Sequence, residues 1–135
     1  MAIKKDSGRQ QVESALLTIN FGDPTAYGTA EDAIELPPGA IVVGGDITVD
    51  TAFNSTTNTI TLGDVTTANR YANAVDLKTA ARTALTVTGF TTTPTERFVR
   101  ANLAQTGGVP TAGSVRIRVD FVVKGRAQHA WGTGL

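Results

Sequence analysis

The chain has 135 residues, with 12 Lys and Arg balanced by 12 Asp and Glu, and no cysteine. That length is a single domain able to bury a core of its own. Zero net charge argues against a protein that grips nucleic acid by neutralising phosphates. The absence of Cys excludes disulfide staples and thiolate metal sites, and leans towards production inside the cell. The opening residues, Met1 to Gly8, lack the apolar centre of a signal peptide. The longest apolar runs, such as Ala40-Ile41-Val42-Val43, fall far below the roughly 20 residues of a membrane helix. No membrane partner is expected.

Residues 1–10 are polar, basic and aperiodic, and are expected to form a flexible arm carrying Lys4, Lys5 and Arg9. Residues 11–21 then alternate, with Ala15, Leu17, Ile19 and Phe21 on one face. Asp23-Pro24 and Tyr27-Gly28 mark a loop. Residues 33–36 are a short strand, stopped by Pro37-Pro38-Gly39 because proline removes a ladder donor.

Residues 41–53 are the longest strand. Ile41, Val43, Ile47, Val49 and Phe53 share one parity across Gly44-Gly45, so the pair is expected to bend the strand without a one-residue bulge. Asn54 to Asn58 is a polar turn, and residues 59–62 are expected to return as the second arm of a hairpin. Residues 66–81 admit a strand on Tyr71, Val75 and Leu77, or a helical turn from Val75; strand followed by turn is preferred. Residues 84–88 are a short strand with Leu85 and Val87 inward, followed by a Thr-rich loop over 90–95.

Residues 97–105 put Val99, Ala101 and Leu103 on one face and Arg100 and Asn102 on the other. After the Gly107-Gly108-Val109-Pro110 turn, residues 114–124 form the clearest strand: Val115, Ile117, Val119, Phe121 and Val123 alternate with Arg116, Arg118 and Asp120. About eight strands at roughly 8–12-residue spacing predict an all-β fold, an antiparallel two-sheet sandwich that is jelly-roll-like. An immunoglobulin-like order is the alternative, disfavoured by the missing Cys and core Trp. The sandwich domain is expected over 11–125 and a C-terminal tail over 126–135.

Chemistry-bearing constellations are scarce. His129 is the single histidine and lies in the tail beside Trp131, where the pair is a candidate anchor on a neighbouring subunit. Asp46 and Asp50 flank Ile47-Thr48-Val49 on one face of a strand. They admit a glycosidase pair or a calcium site, but pairing with Arg116 and Arg118 across strands is the simpler reading. No Gly-x-Ser-x-Gly and no phosphate-cradling glycine loop occurs. Arg97, Arg100, Arg116, Arg118 and Lys124 would make a basic stripe if their strands were neighbours. With Phe98 the only interleaved aromatic, a charge-balanced face or a protein interface is preferred to nucleic acid. No catalytic residue, metal or cofactor is expected. The candidate protein-interface residues are Lys4, Lys5, Arg9, Arg97, Arg100, Arg116, Arg118, His129 and Trp131.

The run Leu36-Pro37-Pro38-Gly39-Ala40-Ile41-Val42-Val43-Gly44-Gly45-Asp46-Ile47-Thr48-Val49 is followed by Thr51-Ala52-Phe53-Asn54 and Ile60-Thr61-Leu62-Gly63-Asp64. Together with the closing Val115 to Ala127 segment, it resembles small virion proteins of tailed bacteriophages, over about residues 34–126. Within that group it is most similar to jelly-roll capsid decoration, or cement, proteins. The resemblance implies a non-enzymatic protein made in the host cytoplasm and placed on the outer capsid surface. Its implied partners are the major capsid protein and itself, as a homodimer or homotrimer. Tail- or fibre-associated virion sandwiches and carbohydrate-binding modules are the alternatives.

Overall fold

The computed structural model describes residues 10–124. The strands are β1 (Glu13–Asn20), β2 (Glu31–Glu35), β3 (Ala40–Thr51), β4 (Thr57–Gly63), β5 (Ala72–Asp76), β6 (Arg82–Ala84), β7 (Phe98–Thr106) and β8 (Ser114–Val123). They form two four-stranded sheets, ordered β1-β8-β3-β6 and β2-β7-β4-β5, with every pairing antiparallel. The outermost pairs are β1 with β8, β2 with β7, β3 with β6 and β4 with β5. That nesting is a long hairpin rolled over on itself. The sandwich is therefore a jelly roll rather than an immunoglobulin-like arrangement.

Alternation produces the core. Val115, Ile117 and Val119 of β8 are fully buried, and Ile47 and Val49 of β3 join them from the same sheet. Leu62 and Ile60 of β4 and Val99, Ala101 and Leu103 of β7 meet them from the opposite sheet. Leu36, Phe53 and Leu77 lie just outside strands yet are buried as deeply, closing the ends of the gap between sheets. The 66–81 segment resolves as the preferred strand, β5, with Tyr71 and Leu77 buried at either end.

Four details depart from the alternation read along the chain. In β3, Val42 faces Phe121 and Gly44 faces Asp120, so Val43 is an unpaired bulge residue. Parity flips there: Ala40 and Val42 are buried before the bulge, Ile47 and Val49 after it, while Val43 is 46% exposed. Gly45 permits this, at φ +138 and so close to β8 that a Cβ would lie 2.2 Å from the Arg118 carbonyl oxygen. Second, β3 and β4 are not a hairpin. They belong to opposite sheets, and the chain arches between them through the buried Phe53. Third, Val87 is exposed, because β6 ends at Ala84 and only Leu85 still reaches the core. Fourth, Phe21 is 38% exposed, since β1 ends at Asn20 and the chain turns away.

Candidate functional site

The outer face of the first sheet carries a ladder of charges. Strand β8 sets Arg116 and Arg118 opposite Thr48 and Asp46 of β3. Arg118 Nη2 lies 3.4 Å from Asp46 Oδ2, and Arg116 Nη1 lies 3.7 Å from Asp50 Oδ1. Arg82 of β6 adds a second guanidinium to Asp46, Nε to Oδ2 at 2.7 Å. Asp120 accepts the Ser14 hydroxyl at 2.6 Å and faces Arg118 Nε at 3.4 Å. Asp46 lies on a face that the strand pattern makes external, yet it is buried, because these arginine stems lie over it. The cross-strand pairing expected for Asp46 and Asp50 is what forms. Asp46 is held by two guanidiniums, whereas Asp50, with its side chain 40% exposed, meets only Arg116.

Arg97 and Arg100 lie elsewhere. They belong to the second sheet, where Arg97 pairs with Glu35 at 3.1 Å and Arg100 with Asp32 at 3.0 Å. Arg100 also donates to the Ala30 carbonyl at 3.0 Å. Arg97 stacks over the Phe98 ring, 5.2 Å from its centroid. The basic stripe that neighbouring strands would have made does not form, because β7 and β8 are in different sheets. Each of the four arginines is matched locally by a carboxylate. Lys4, Lys5, Arg9, His129 and Trp131 fall outside the described residues. The antiparallel β1·β8 register, Glu13 to Phe121, nevertheless places the start of the described chain beside its end.

Among the described residues, hollows open on the surface. One, of about 220 Å³, lies where the edges β1 and β2 leave the gap between the sheets open; it is floored by Leu17, Ile19, Ala101 and Leu103 and rimmed by Asp23, Glu31 and Asp32. Its carboxylates are engaged: Asp23 accepts the Asn20 N–H at 2.8 Å, Glu31 the Thr25 N–H at 3.0 Å, and Asp32 pairs with Arg100. Another, of about 300 Å³, lies over the second sheet between Val65, Phe98 and Arg100. Among the described residues no group of three or more His, Cys, Asp or Glu is placed to hold a metal ion, and no helix is long and apolar enough to cross a membrane.

A polar cluster not anticipated from the sequence stabilises the loop after β4. Asp64 is buried and accepts the N–H groups of Thr66 at 2.9 Å and Thr67 at 2.7 Å. Arg70 Nε also bonds Asp64, and its guanidinium carbon lies 3.5 Å from the Phe90 ring centroid and 3.6 Å, at Nη2, from Glu96. Asp64-x-Thr66-Thr67 is a side-chain-to-backbone turn, and that local signal was available in the sequence. Beside it, burial and then the Asp64 charge push the Tyr71 phenol up to about 12; Arg70 opposes and Glu96 adds. Tyr27 is raised too, by burial and then by Asp23, and its hydroxyl donates to the Phe21 carbonyl at 2.6 Å. With Tyr71 buried, the two tyrosines do not form a shared open stacking platform for a sugar.

No protein-family model matches the sequence, and neither does any curated protein. Solved structures do match. A chain of the cyanophage Pam1 capsid asymmetric unit is 27% identical, with 91% of this chain and 92% of that chain covered at a TM-score of 0.69. A chain of the acidic stable capsid structure of Helicobacter pylori bacteriophage KHP30 is 19% identical over 85% and 94%, at 0.62. A chain of the capsid of Ralstonia phage GP4 is 14% identical over 93% and 93%, at 0.61. The last two matches establish a shared fold. The chain is thus similar, across most of its length, to chains of phage capsid structures, as the resemblance over residues 34–126 implied.

Proposed function

We propose that this chain is a non-enzymatic structural protein of a phage virion, placed on the outer surface of the capsid, where it reinforces the shell as a decoration protein. The observation that carries this reading is the similarity to a chain of the cyanophage capsid asymmetric unit, which runs through nearly all of both chains. The two are therefore of comparable length.

The geometry is compatible with such a role. The body is a two-sheet sandwich whose outer faces are laced with ion pairs, and acidic side chains such as Asp46, Asp32, Asp23 and Glu31 are held by arginines or backbone N–H groups. Each contact with a lattice can be weak. Repetition over many copies supplies avidity, and binding the assembled shell in preference to free subunits stabilises the shell by mass action. In this reading the partners are the major capsid protein and further copies of the chain, as a homodimer or homotrimer, with neither nucleic acid nor membrane involved. Contacts come from Arg97, Arg100, Arg116 and Arg118 on the faces and from the terminal segments with Lys4, Lys5, Arg9, His129 and Trp131.

Particles assembled without the protein are expected to release DNA at a lower temperature than complete particles, and adding the purified protein back is expected to restore the difference. Equal heat and osmotic resistance of the two particle types rules the reading out.

A further inference from the structure

The two sheets end on β1 and β6, and on β2 and β5. Three of these edges are blunted. Strand β6 has 3 residues. Strand β2 has 5 and its register slips between Asp32 and Ile34. Strand β5 also has 5, slips opposite Thr61, and holds Ala74 at φ +47. Shortness and bulges are the usual means by which a sheet edge is kept from pairing with another chain. Strand β1 uses neither. Its 8 residues, ESALLTIN, pair with β8 without a slip and include no Pro, Lys or Arg.

The phase of the ladder identifies which groups of β1 face outward. The Phe21 N–H bonds the Gly113 carbonyl at 3.0 Å, so Ile19, Leu17, Ala15 and Glu13 turn their backbone groups towards β8. Ser14, Leu16, Thr18 and Asn20 turn theirs away. Asn20 is already capped: its N–H bonds Asp23 Oδ2 at 2.8 Å and its carbonyl accepts the Asp23 N–H at 3.0 Å. The N–H and C=O groups of Ser14, Leu16 and Thr18 remain without a backbone partner among the described residues.

We propose that β1 is a strand-pairing interface with a second copy of this chain, antiparallel about a twofold axis at Leu16. In that register Leu16 meets Leu16 and Ser14 meets Thr18, so all the outward N–H and C=O groups of both strands are satisfied. The Leu16 side chain, 65% exposed in the single chain, packs on its own counterpart, and Ala15 meets Leu17 on the other face. The one charge of the strand, Glu13, comes opposite Ile19 and lies about 20 Å from the second Glu13, six residues along. Within the two paired strands no like charges are juxtaposed, the second Glu13 comes onto the side of Ile19 that faces the hollow rimmed by Asp23, Glu31 and Asp32, and the Asp23 cap ends the pairing at Asn20. The product is an isologous interface that joins two four-stranded sheets into one. It does not rest on the capsid reading, since it concerns the purified protein in solution.

Sedimentation of the full chain is expected to give a dimer at about 100 µM. Leu16→Lys is expected to raise the dimer Kd roughly tenfold or more while leaving the circular dichroism of the fold intact, because that side chain is exposed. Val109→Lys, at an equally exposed loop position, is expected to leave the Kd unchanged. In this cysteine-free chain Leu16→Cys is expected to form a disulfide-linked dimer on mild oxidation, and Val109→Cys is not. A monomeric wild type, a dimer indifferent to Leu16→Lys, or failure of Leu16→Cys to cross-link overturns the proposal, the first leaving the edge to a strand from a different protein.

Discussion

The Asp46 carboxylate of β3 lies 2.7 Å from Arg82 Nε of β6, tying the shortest strand of the fold to the sheet it borders. Arg118 approaches the same Oδ2 at 3.4 Å, so Asp46 is held from two sides and Arg82 from one. The two ends of the pair are not equivalent. Asp46→Ala is expected to cost about 1–3 kcal/mol, because the arginines over the sheet lose their shared partner. Arg82→Ala is expected to cost under about 1 kcal/mol, since its side chain is 57% exposed and Arg118 still covers the carboxylate. Urea denaturation of the two variants checks the order; equal losses would contradict it.

Gly113, at φ +142, lies against the ring of Phe53, so that a Cβ would fall 2.5 Å from the ring Cγ. Gly113→Ala is expected to destabilise by about 2–4 kcal/mol, from backbone strain and displacement of a buried ring. Combining it with Phe53→Leu is expected to recover at least about 0.5 kcal/mol relative to additivity, because both changes act on one contact. A double-mutant cycle by thermal unfolding measures this.

The raised phenol of Tyr71 makes stability fall at alkaline pH. The fold favours the neutral phenol, so this contribution is fully present below the unfolded value near 10. It is lost as pH rises from there through about 12. A shift of that size corresponds to roughly 2–3 kcal/mol. Tyr71→Phe is expected to remove that part of the alkaline decline. Melting temperatures of both proteins between pH 9 and pH 12 give the comparison.

Ile117 is fully buried between Leu17 on β1 and Ile47 on β3 in the ladder registers. Ile117→Ala is expected to cost about 2–5 kcal/mol. Leu16→Ala, on the outer face of the next strand, is expected to change the stability of the monomer by less than about 0.5 kcal/mol. Denaturant midpoints at concentrations below the dimer Kd separate the two.

Much of the fold was legible in residue order. The alternation of Val115 to Val123 and of Val99 to Leu103 marked β8 and β7, and the Pro37-Pro38-Gly39 break separated β2 from β3. Those signals are local and follow from the two-residue repeat of a strand. The bulge at Val43 escaped because two glycines carry no side chain to reveal which way the chain faces, so Ile41 and Val43 looked continuous with Ile47. The arch through Phe53 reads as a hairpin in the sequence, because a polar turn has the same composition whether it returns to its own sheet or crosses to the other.

The candidate surface was half legible. That Asp46 and Asp50 would answer Arg116 and Arg118 followed from strand parity, and the contacts agree. That Arg97 and Arg100 would belong to the opposite sheet did not, nor did the burial of Asp46 beneath Arg82 and Arg118. The Asp64–Arg70–Glu96 cluster joins residues up to 32 positions apart, with only its Asp-x-Thr-Thr turn visible beforehand.

By itself, then, the order of residues determined eight alternating segments, a dry face on most of them, and a net charge of zero. Only the tertiary structure decided that strands nest β1 with β8 through β4 with β5, which sheet holds each arginine, and that among the described residues β1 is the long edge left regular. The physical reason is range. Side-chain alternation is set by backbone geometry within a few residues, whereas strand partners and exposed edges are set by the packing of segments up to a hundred residues apart.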